Sequence, residues 1–202
     1  MKIQYLGHAC FKLSSGGNSL VIDPYQDGSV PGLKPLRDEA TKVITSHQHA
    51  DHSGVECIKI IDGDSDVFKI TPLPTWHDDQ QGALRGPNTI HIIECEKFRV
   101  AHFGDLGCQL SDNEKQLLKD LDVIMVPVGG HFTIDADQAA EIVKELTPKC
   151  IVPMHYRGSD FGYDVLGTVD LFTRHFTGVR EIDDTLELGE DLPEVAVMSF
   201  KR

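Results

Sequence analysis

The sequence predicts a layered α/β sandwich, and two observations support this fold class. Short apolar or alternating runs separated by turn residues fill the N-terminal half, which is typical of β-strands. Helical patterns then alternate with further strands in the C-terminal half. A chain of 202 residues is long enough for one domain with a sizeable core, so we expect a single domain over residues 1–202.

Strands dominate the prediction for the first half. The segment at residues 14–18 reads Ser-Ser-Gly-Gly-Asn and favours a hairpin between two of them. Residues 24–38 are rich in Pro, Gly and Asp and are predicted to form a loop. The predicted strands are Ile3–Tyr5, Cys10–Leu13, Ser19–Ile22, Lys42–Thr45, Val67–Leu73, Thr89–Glu94 and Phe98–Phe103.

Helices enter the prediction in the second half. Ser111 and Glu114 fit a capping box at the start of one helix. Asp135 is expected to cap another, which continues through Leu146 and is stopped by Pro148. The remaining predictions are a helix over Asp164–Phe176 and strands at Val123–Val128, Cys150–Pro153, Thr185–Leu188 and Val195–Phe200.

The composition limits the functional classes. The formal net charge of −13 repels phosphate backbones, which disfavours nucleic acid and favours a small-molecule substrate. We see neither a signal peptide nor an apolar run near the roughly 18 residues of a membrane span, and expect a cytoplasmic protein without membrane contact. The five cysteines are dispersed and contain no CxxC pair, which disfavours disulfides and thiolate metal sites. The sequence does not indicate an oligomeric state.

The densest group of metal-ligating residues follows the predicted strand that ends at Thr45. His47, His49, Asp51 and His52 fall within six residues. Imidazole and carboxylate groups suit zinc, and also manganese or iron. The end of a strand is a place where functional sites are commonly built. The motif therefore predicts a metal centre.

This His-x-His-x-Asp-His pattern resembles the signature of the metallo-β-lactamase superfamily, whose other motifs follow in order: Val21–Pro24, Thr75–His77, Phe103–Asp105 and Pro153–Tyr156. The resemblance implies a four-layer αββα sandwich. Three further segments are similar to a small branch that includes L-ascorbate-6-phosphate lactonase-like proteins and predicted Zn-dependent hydrolases: Leu6–Phe11, His102–Gly107 and Pro127–Thr133.

The resemblance also implies two divalent metal ions, zinc first and manganese or iron as alternatives. The implied ligands are His47, His49 and His77 for the first metal, Asp51, His52 and His155 for the second, and Asp105 as a bridge between them. Two metals about 3.5–4 Å apart lower the pKa of a shared water and polarise the scissile group. Asp51 and Asp105 are thus the expected catalytic carboxylates.

The implied activity is hydrolysis of a small ester, lactone or phosphoester by a metal-bridged hydroxide. A phosphodiesterase of the same fold and a non-enzymatic metal-binding sensor or scaffold are the alternatives. Redox chemistry of the flavodiiron kind is disfavoured, because those relatives replace the second histidine of the signature with an acid, whereas this chain keeps His49.

Four other residues are candidates for contacts around the metals or with the substrate. Asp23 is expected to orient a ligand histidine or the metal loop by hydrogen bonds rather than to bind metal. His8 follows a strand and either lines the pocket or caps that strand. His131 is expected at the pocket rim. Tyr156 either stabilises an oxyanion or donates a proton, or packs in the core.

The sequence around the third expected histidine of the first metal gives weaker indications. Trp76 is expected either to form one wall of the pocket or to pack in the core, and core packing is favoured. Asp78 and Arg85 lie in a polar loop, where charges either bind substrate or face water. His102 is expected to point away from Asp105, because successive residues of a strand alternate between its faces.

Overall fold

The computed structural model describes residues 1–200, whose strands form two packed sheets and one small one. The strands are β1 (Lys2–Gly7), β2 (Cys10–Ser15), β3 (Asn18–Ile22), β4 (Asp38–Ala40), β5 (Lys42–Ile44), β6 (Ile58–Ile60), β7 (Lys69–Trp76), β8 (Pro87–Cys95), β9 (Phe98–His102), β10 (Val123–Pro127), β11 (Cys150–Met154), β12 (Val179–Ile182), β13 (Thr185–Glu187) and β14 (Val195–Met198). The helices are α1 (Asp112–Leu117), α2 (Ala136–Leu146) and α3 (Asp170–Thr173), with 3₁₀ turns at Val55–Cys57 and Ser65–Val67.

The two large sheets differ in strand direction. The first has the order β13-β1-β2-β3-β5 and is antiparallel except for the parallel pair β3 and β5. The second has the order β12-β14-β11-β10-β9-β8-β7 and is parallel from β12 to β9. Its last two pairings, β9 with β8 and β8 with β7, are antiparallel. β4 and β6 form a separate two-stranded sheet.

A continuous apolar layer fills the space between the two large sheets. β10 is buried on both faces, as its unbroken apolar run predicts: Val123 and Met125 point into this layer, whereas Ile124 and Val126 point to the helices. The first sheet contributes side chains such as Tyr5, Phe11 and Leu13. Burying each large apolar side chain contributes about 1.5–3 kcal/mol, so this layer fixes how the sheets face each other.

Helices cover the outer face of the second sheet. In α2, Asp135 and Gln138 form a reciprocal capping box, and the helix ends at Thr147, which adopts a left-handed conformation before Pro148. The buried face of α2 contains Ala139, Ala140, Ile142, Val143 and Leu146. None of the helices in residues 1–200 is long and apolar enough to cross a membrane.

The outer face of the first sheet is covered by less regular chain. Residues 24–37, the β4–β6 sheet and the 3₁₀ turn at Val55–Cys57 pack against Cys10 and Val21. The prediction of an α/β sandwich is therefore confirmed, with loops and short elements as the layer on this side. The predicted helix over Asp164–Phe176 was too long, because Gly167 bonds through its backbone to Gly129 and only α3 is α-helical.

Candidate metal centre

The predicted ligands come together where strands of both sheets end. β7, β9 and β11 run in the same direction within the second sheet, so their C-terminal ends lie at one edge. β3 and β5 of the first sheet end beside them. The residues that follow these five strand ends are His77, Asp105, His155, Asp23 and the segment 47–52. Loops from distant parts of the chain thus meet at one place.

Asp105 lies at the centre of the cluster and is 2% exposed. Its Oδ1 is 3.1 Å from His52 Nε2, and its Oδ2 is 3.2 Å from both His77 Nε2 and His155 Nε2. His47 Nε2 lies 3.8 Å from Oδ2. The carboxylate therefore faces histidines of both expected metal groups, as a bridging ligand must.

The backbone that carries Asp105 is held closely. Its N–H donates to Asn88 Oδ1 at 2.9 Å. Gly104 before it has φ of 54°, and an added Cβ would collide with the Asn88 side chain and come within 2.5 Å of Ser46 Cβ. Only glycine fits this combination of left-handed backbone and close approach, which explains the Gly-Asp pair of the sequence motif.

Two sets of ligand atoms surround this carboxylate. His47, His49 and His77 form one set, whose ligand atoms lie within 4.8 Å of one another. Asp51, His52 and His155 belong to a second set of the same spacing, which also includes His8. A metal ion about 2.0–2.2 Å from each ligand requires ligand atoms separated by roughly 3–4 Å, which this spacing allows. The structure thus brings together all seven residues expected to bind metal.

The residues pass a chemical test for a metal site. Buried ring nitrogens and one carboxylate oxygen of the cluster lie close together yet make no well-formed hydrogen bond: His47 Nε2, His52 Nε2, His155 Nε2 and Asp105 Oδ1. A buried polar atom without a partner costs about 1–3 kcal/mol, and four at one point are rare in a stable protein. One divalent cation in each ligand set would satisfy these four atoms, and their N/O character fits such ions.

The charges in the cluster are also those of a cation site. Burial and the neighbouring His52 lower the pKa of His47 to about 3, which leaves its imidazole neutral. Burial raises the pKa of Asp105, but His155 and His52 outweigh this effect and hold it well below its usual value. Burial likewise lowers the pKa of His52, but Asp105 and Asp23 outweigh it and raise that pKa well above its usual value. A proton and a metal ion therefore compete for His52.

Asp23 fixes the orientation of His52 from behind. Its Oδ2 lies 2.8 Å from His52 Nδ1, and it accepts hydrogen bonds from the N–H and the hydroxyl of Ser46, both at 2.6 Å. Asp23 is fully buried, as is His52. A carboxylate at Nδ1 keeps the proton on that nitrogen and leaves Nε2 free to face Asp105. This is the geometry expected for Asp23 from the sequence.

His8 belongs to the cluster rather than to its surroundings. Its side chain is fully buried, and its Nε2 lies 3.2 Å from Asp51 Oδ2. Its ring centroid is 4.2 Å from that of His155. Burial and His155 lower the pKa of His8 to about 4, so the ring is neutral near pH 7. The backbone carbonyl of His8 also accepts the N–H of His155.

The other two candidates lie further away. His131 is exposed, its ring lies edge-on to Phe132 at 4.5 Å, and its carbonyl accepts a bond from Arg85. His131 thus lies beside Arg85 and Phe132, and its place at the rim stays a prediction. Tyr156 is 5% exposed and packs in the apolar core between the second sheet and the helices. Its ring centroid lies 5.9 Å from that of Phe161. None of the contacts seen for Tyr156 within residues 1–200 reaches the ligands, which corrects the expectation of a site role in favour of the packed alternative.

A small cleft opens over the cluster. Its volume is about 300 Å³, and its walls are His49, Asp51, His77, Arg85, Asp105, Phe132, His155 and Tyr163. A larger cavity of about 850 Å³ lies beyond Tyr156 and contains none of the expected ligands. We take the smaller cleft as the functional one because the chemistry lies there. Sequence reasoning missed Phe132 and Tyr163, since neither lies in a periodic or ligand-like pattern.

The loop after His77 differs from expectation. Trp76 is 42% exposed rather than buried, because it is the last residue of the edge strand β7. Its indole covers Gly82, where an added Cβ would lie 2.7 Å from Trp76 Cε3. Asp78 is buried and accepts four backbone N–H bonds from residues 80–85.

His102 is turned toward the other sheet and hydrogen-bonds the Ala9 carbonyl at 2.8 Å, as strand alternation predicts.

The chain is similar in sequence and fold to several known proteins. A family model described as a beta-lactamase superfamily domain matches residues 2–155. A metal-dependent hydrolase of Pelotomaculum thermopropionicum is 31% identical over 194 residues, covering 77% of this chain and 84% of that protein. One of Thermococcus onnurineus is 29% identical over 191 residues, with the same coverage of 77% and 84%. A solved structure from Thermotoga maritima is 32% identical, covers 99% of each chain and has a TM-score of 0.78.

The Thermotoga maritima structure is described as a Zn-dependent hydrolase of the metallo-beta-lactamase superfamily. Two packed sheets with a His/Asp cluster at their strand ends define this chain as a protein of the metallo-β-lactamase fold. It belongs to the beta-lactamase superfamily.

Proposed function

We propose that this protein is a hydrolase with two divalent metal ions that acts on a small ester, lactone or phosphoester. Zinc is the first candidate for the metal, with manganese or iron as alternatives. The observation that carries the proposal is the convergence of histidines from both ligand sets on the Asp105 carboxylate, at 3.1–3.8 Å. The names of the curated relatives, metal-dependent hydrolases, support the same activity.

The chain's own residues prepare the site for this chemistry. Two bound divalent ions would supply hydroxide near neutral pH and polarise the scissile group. Asp105 Oδ1 faces His52 and its Oδ2 faces both His77 and His155. Asp23 holds His52 in the orientation that such an ion needs. Arg85 also lines the cleft, where its guanidinium N–H groups can orient a substrate.

The cleft supports a small substrate. About 300 Å³ is at the lower end of the volumes that hold drug-sized molecules. The net charge of −13 adds long-range repulsion against a nucleic-acid backbone. A small metabolite in the cytoplasm, rather than a polymer, is therefore the substrate class that we propose.

Metal content tests the centre directly. We expect about two equivalents of metal per chain in the wild type and one or fewer in Asp105→Asn, measured by elemental analysis after reconstitution. Asp122→Asn is the matched control, because Asp122 is also buried (7%) but bonds Lys149 and the Arg99 backbone instead. A wild type that takes up no metal would overturn the proposal.

A substrate screen tests the reaction. Metal-loaded protein is offered aliphatic lactones, small phosphomonoesters and small phosphodiesters, with Asp105→Asn as the inactive reference. Turnover of lactones or esters supports the first choice, and turnover of phosphodiesters alone supports the phosphodiesterase alternative. Full metal loading without any turnover would contradict the hydrolase proposal and favour the sensor or scaffold.

A further inference from the structure

We propose that His8 is an additional protein ligand of the second metal, beside Asp51, His52, His155 and the bridging Asp105. This inference rests on the metal centre of the proposed function and adds a residue outside the His-x-His-x-Asp-His pattern. It assigns the end of β1 a direct part in the site. It also makes the two metal positions unequal in their number of protein ligands.

The distances around His8 match those of the other expected ligands. His8 Nε2 lies 3.2 Å from Asp51 Oδ2, and His77 Nε2 and His155 Nε2 lie 3.2 Å from Asp105 Oδ2. The ligand atoms of His8, Asp51, His52 and His155 all lie within 4.8 Å of one another. One ion can therefore contact all four with ordinary bond lengths.

The chain holds His8 firmly in this position. The residue is fully buried, and its carbonyl accepts the Tyr5 hydroxyl at 2.9 Å and the His155 N–H at 3.0 Å. Its φ of 57° lies in the left-handed region, which Asp23 and His155 also occupy, with φ of 50° and 55°. Such conformations persist in non-glycine residues only where the surroundings impose them, and they cluster at functional sites. The backbone pairing couples His8 to a second ligand.

Hydrogen bonding alone does not account for His8. Its Nδ1 is buried without a partner among residues 1–200, as are the Nδ1 atoms of His77 and His155. In this respect His8 has the same environment as two expected ligands.

Tyr163 adds a second argument. Its hydroxyl lies 2.6 Å from the Ser29 carbonyl and 3.3 Å from Asp51 Oδ2. Tyr163 has one proton, and the carbonyl can only accept, so the shorter bond takes that proton. The longer bond from Tyr163 therefore gives Asp51 Oδ2 little compensation for its charge, which a cation beside this carboxylate would supply.

A further ligand makes the two metals unequal. With Asp105 as the bridge, the first metal would have four protein ligands and the second would have five. His49 of the first set is also exposed in the cleft, whereas His8 is fully buried. The second metal should then be the more tightly held one.

The test is an NMR experiment on the intact chain loaded with ¹¹³Cd and labelled with ¹⁵N-histidine. A direct bond transmits scalar coupling between cadmium and nitrogen, which a hydrogen bond to Asp51 does not. We expect six coupled histidines: His8, His47, His49, His52, His77 and His155. His91, His102 and His175 are internal controls without coupling. Five coupled histidines without His8 would overturn this inference and leave the metal centre intact. If no histidine couples, the centre fails as well.

Affinity gives an independent readout. Chelator competition should show a loss of more than about 100-fold in His8→Ala for the more tightly bound metal, beyond the roughly 10–100-fold of an outer partner. His175→Ala is the control, because His175 bonds Asp137 on the helical surface. Unchanged affinity in folded His8→Ala would contradict the assignment. If this variant does not fold, the wild-type coupling pattern decides.

Discussion

The two ligand sets of the metal centre are built differently. His52, in the second set, is fully buried and is held at its far nitrogen by Asp23. His49, in the first set, is exposed, and no carboxylate within residues 1–200 is seen to hold its ring. Both positions come from the same six-residue motif, so residue type does not separate them. The difference comes from what the fold places behind each ring. It teaches that His52, like His47 and His77, is part of the core, whereas His49 is not.

The burial of His52 affects the stability of the protein without metal. The charges of Asp23, His52 and Asp105 lie in a row inside the protein, and each depends on its neighbour for compensation. Removing one member leaves an uncompensated buried group, which costs more than the contact itself is worth. An exposed ligand has water as an alternative partner. His52 should therefore contribute to folding stability as well as to metal affinity, and His49 to metal affinity alone.

Asp23→Ala should have the largest effect. It removes the partner of His52 Nδ1 and of both Ser46 donors, all buried. We expect a loss of about 3–5 kcal/mol in the unfolding free energy of the metal-free protein. Denaturant unfolding in the presence of a chelator measures it. A loss below about 1 kcal/mol would show that the row of charges is not a structural unit.

The variants His52→Ala and His49→Ala compare directly how much the buried and the exposed histidine contribute to stability. Each variant removes one expected ligand from the same loop. Without metal, His52→Ala should cost about 1–3 kcal/mol because Asp23 and Asp105 lose their shared partner, whereas His49→Ala should stay within about 0.5 kcal/mol of wild type. The same denaturant titrations give both numbers. Equal losses of unfolding free energy in the two variants would contradict the idea that burial separates His52 from His49.

The same contrast shows how far the sequence could predict the fold. Buried elements leave a periodic signal, so the runs around Val123–Pro127 and the capped helix after Asp135 were predicted correctly. The strands at Asp38–Ala40, Ile58–Ile60 and Val179–Ile182 were missed. Each has three or four residues and exposed positions, so its pairing depends on neighbours rather than on its own pattern.

For the site, local motifs indicated the ligands but not the walls of the cleft. The residues from His47 to His52 are adjacent in sequence, and their chemistry is visible there. Tyr163 contacts Asp51 across 112 positions, and only the folded chain reveals that contact. For Trp76 the sequence does hold a signal, because Pro72 and Pro74 in β7 cannot donate to a ladder and are typical of an edge strand. The contact of Tyr163, by contrast, depends on the tertiary fold.

Asp78 allows a similar test near the first metal, because it holds the loop that follows His77. Its carboxylate holds the loop beside His77 through the N–H groups of Gln80, Gly82, Leu84 and Arg85, at 2.7–3.0 Å. Asp78→Ala should speed hydrogen exchange of these four amides by about tenfold or more and leave the global unfolding midpoint nearly unchanged. Hydrogen exchange followed by NMR measures both. A loop that keeps its protection would mean that another contact holds it.

The pH dependence of this loop follows from the same bonds. Burial raises the pKa of Asp78, but the four backbone N–H donors outweigh it and lower the pKa. A carboxylate whose pKa is lowered in the folded state stabilises that state above its unfolded pKa of about 3.9, and this contribution is lost as pH falls through the lower folded value. Protection of the four amides should therefore persist at pH 5 and disappear only in stronger acid.

The smallest effect is expected at the surface pair between α2 and α3. The Arg174 side chain and His175 Nε2 each contact Asp137 at 2.8 Å, and hydrogen bonds from Arg174 and His175 lower the pKa of this carboxyl. Asp137 is exposed, so water screens the pair, and Asp137→Asn should barely change the denaturation midpoint at pH 7. It should also leave metal content at the wild-type value. A clear loss of stability would mean that exposure does not separate weak from strong charged contacts in this protein, and the contrast between His49 and His52 would then need another cause.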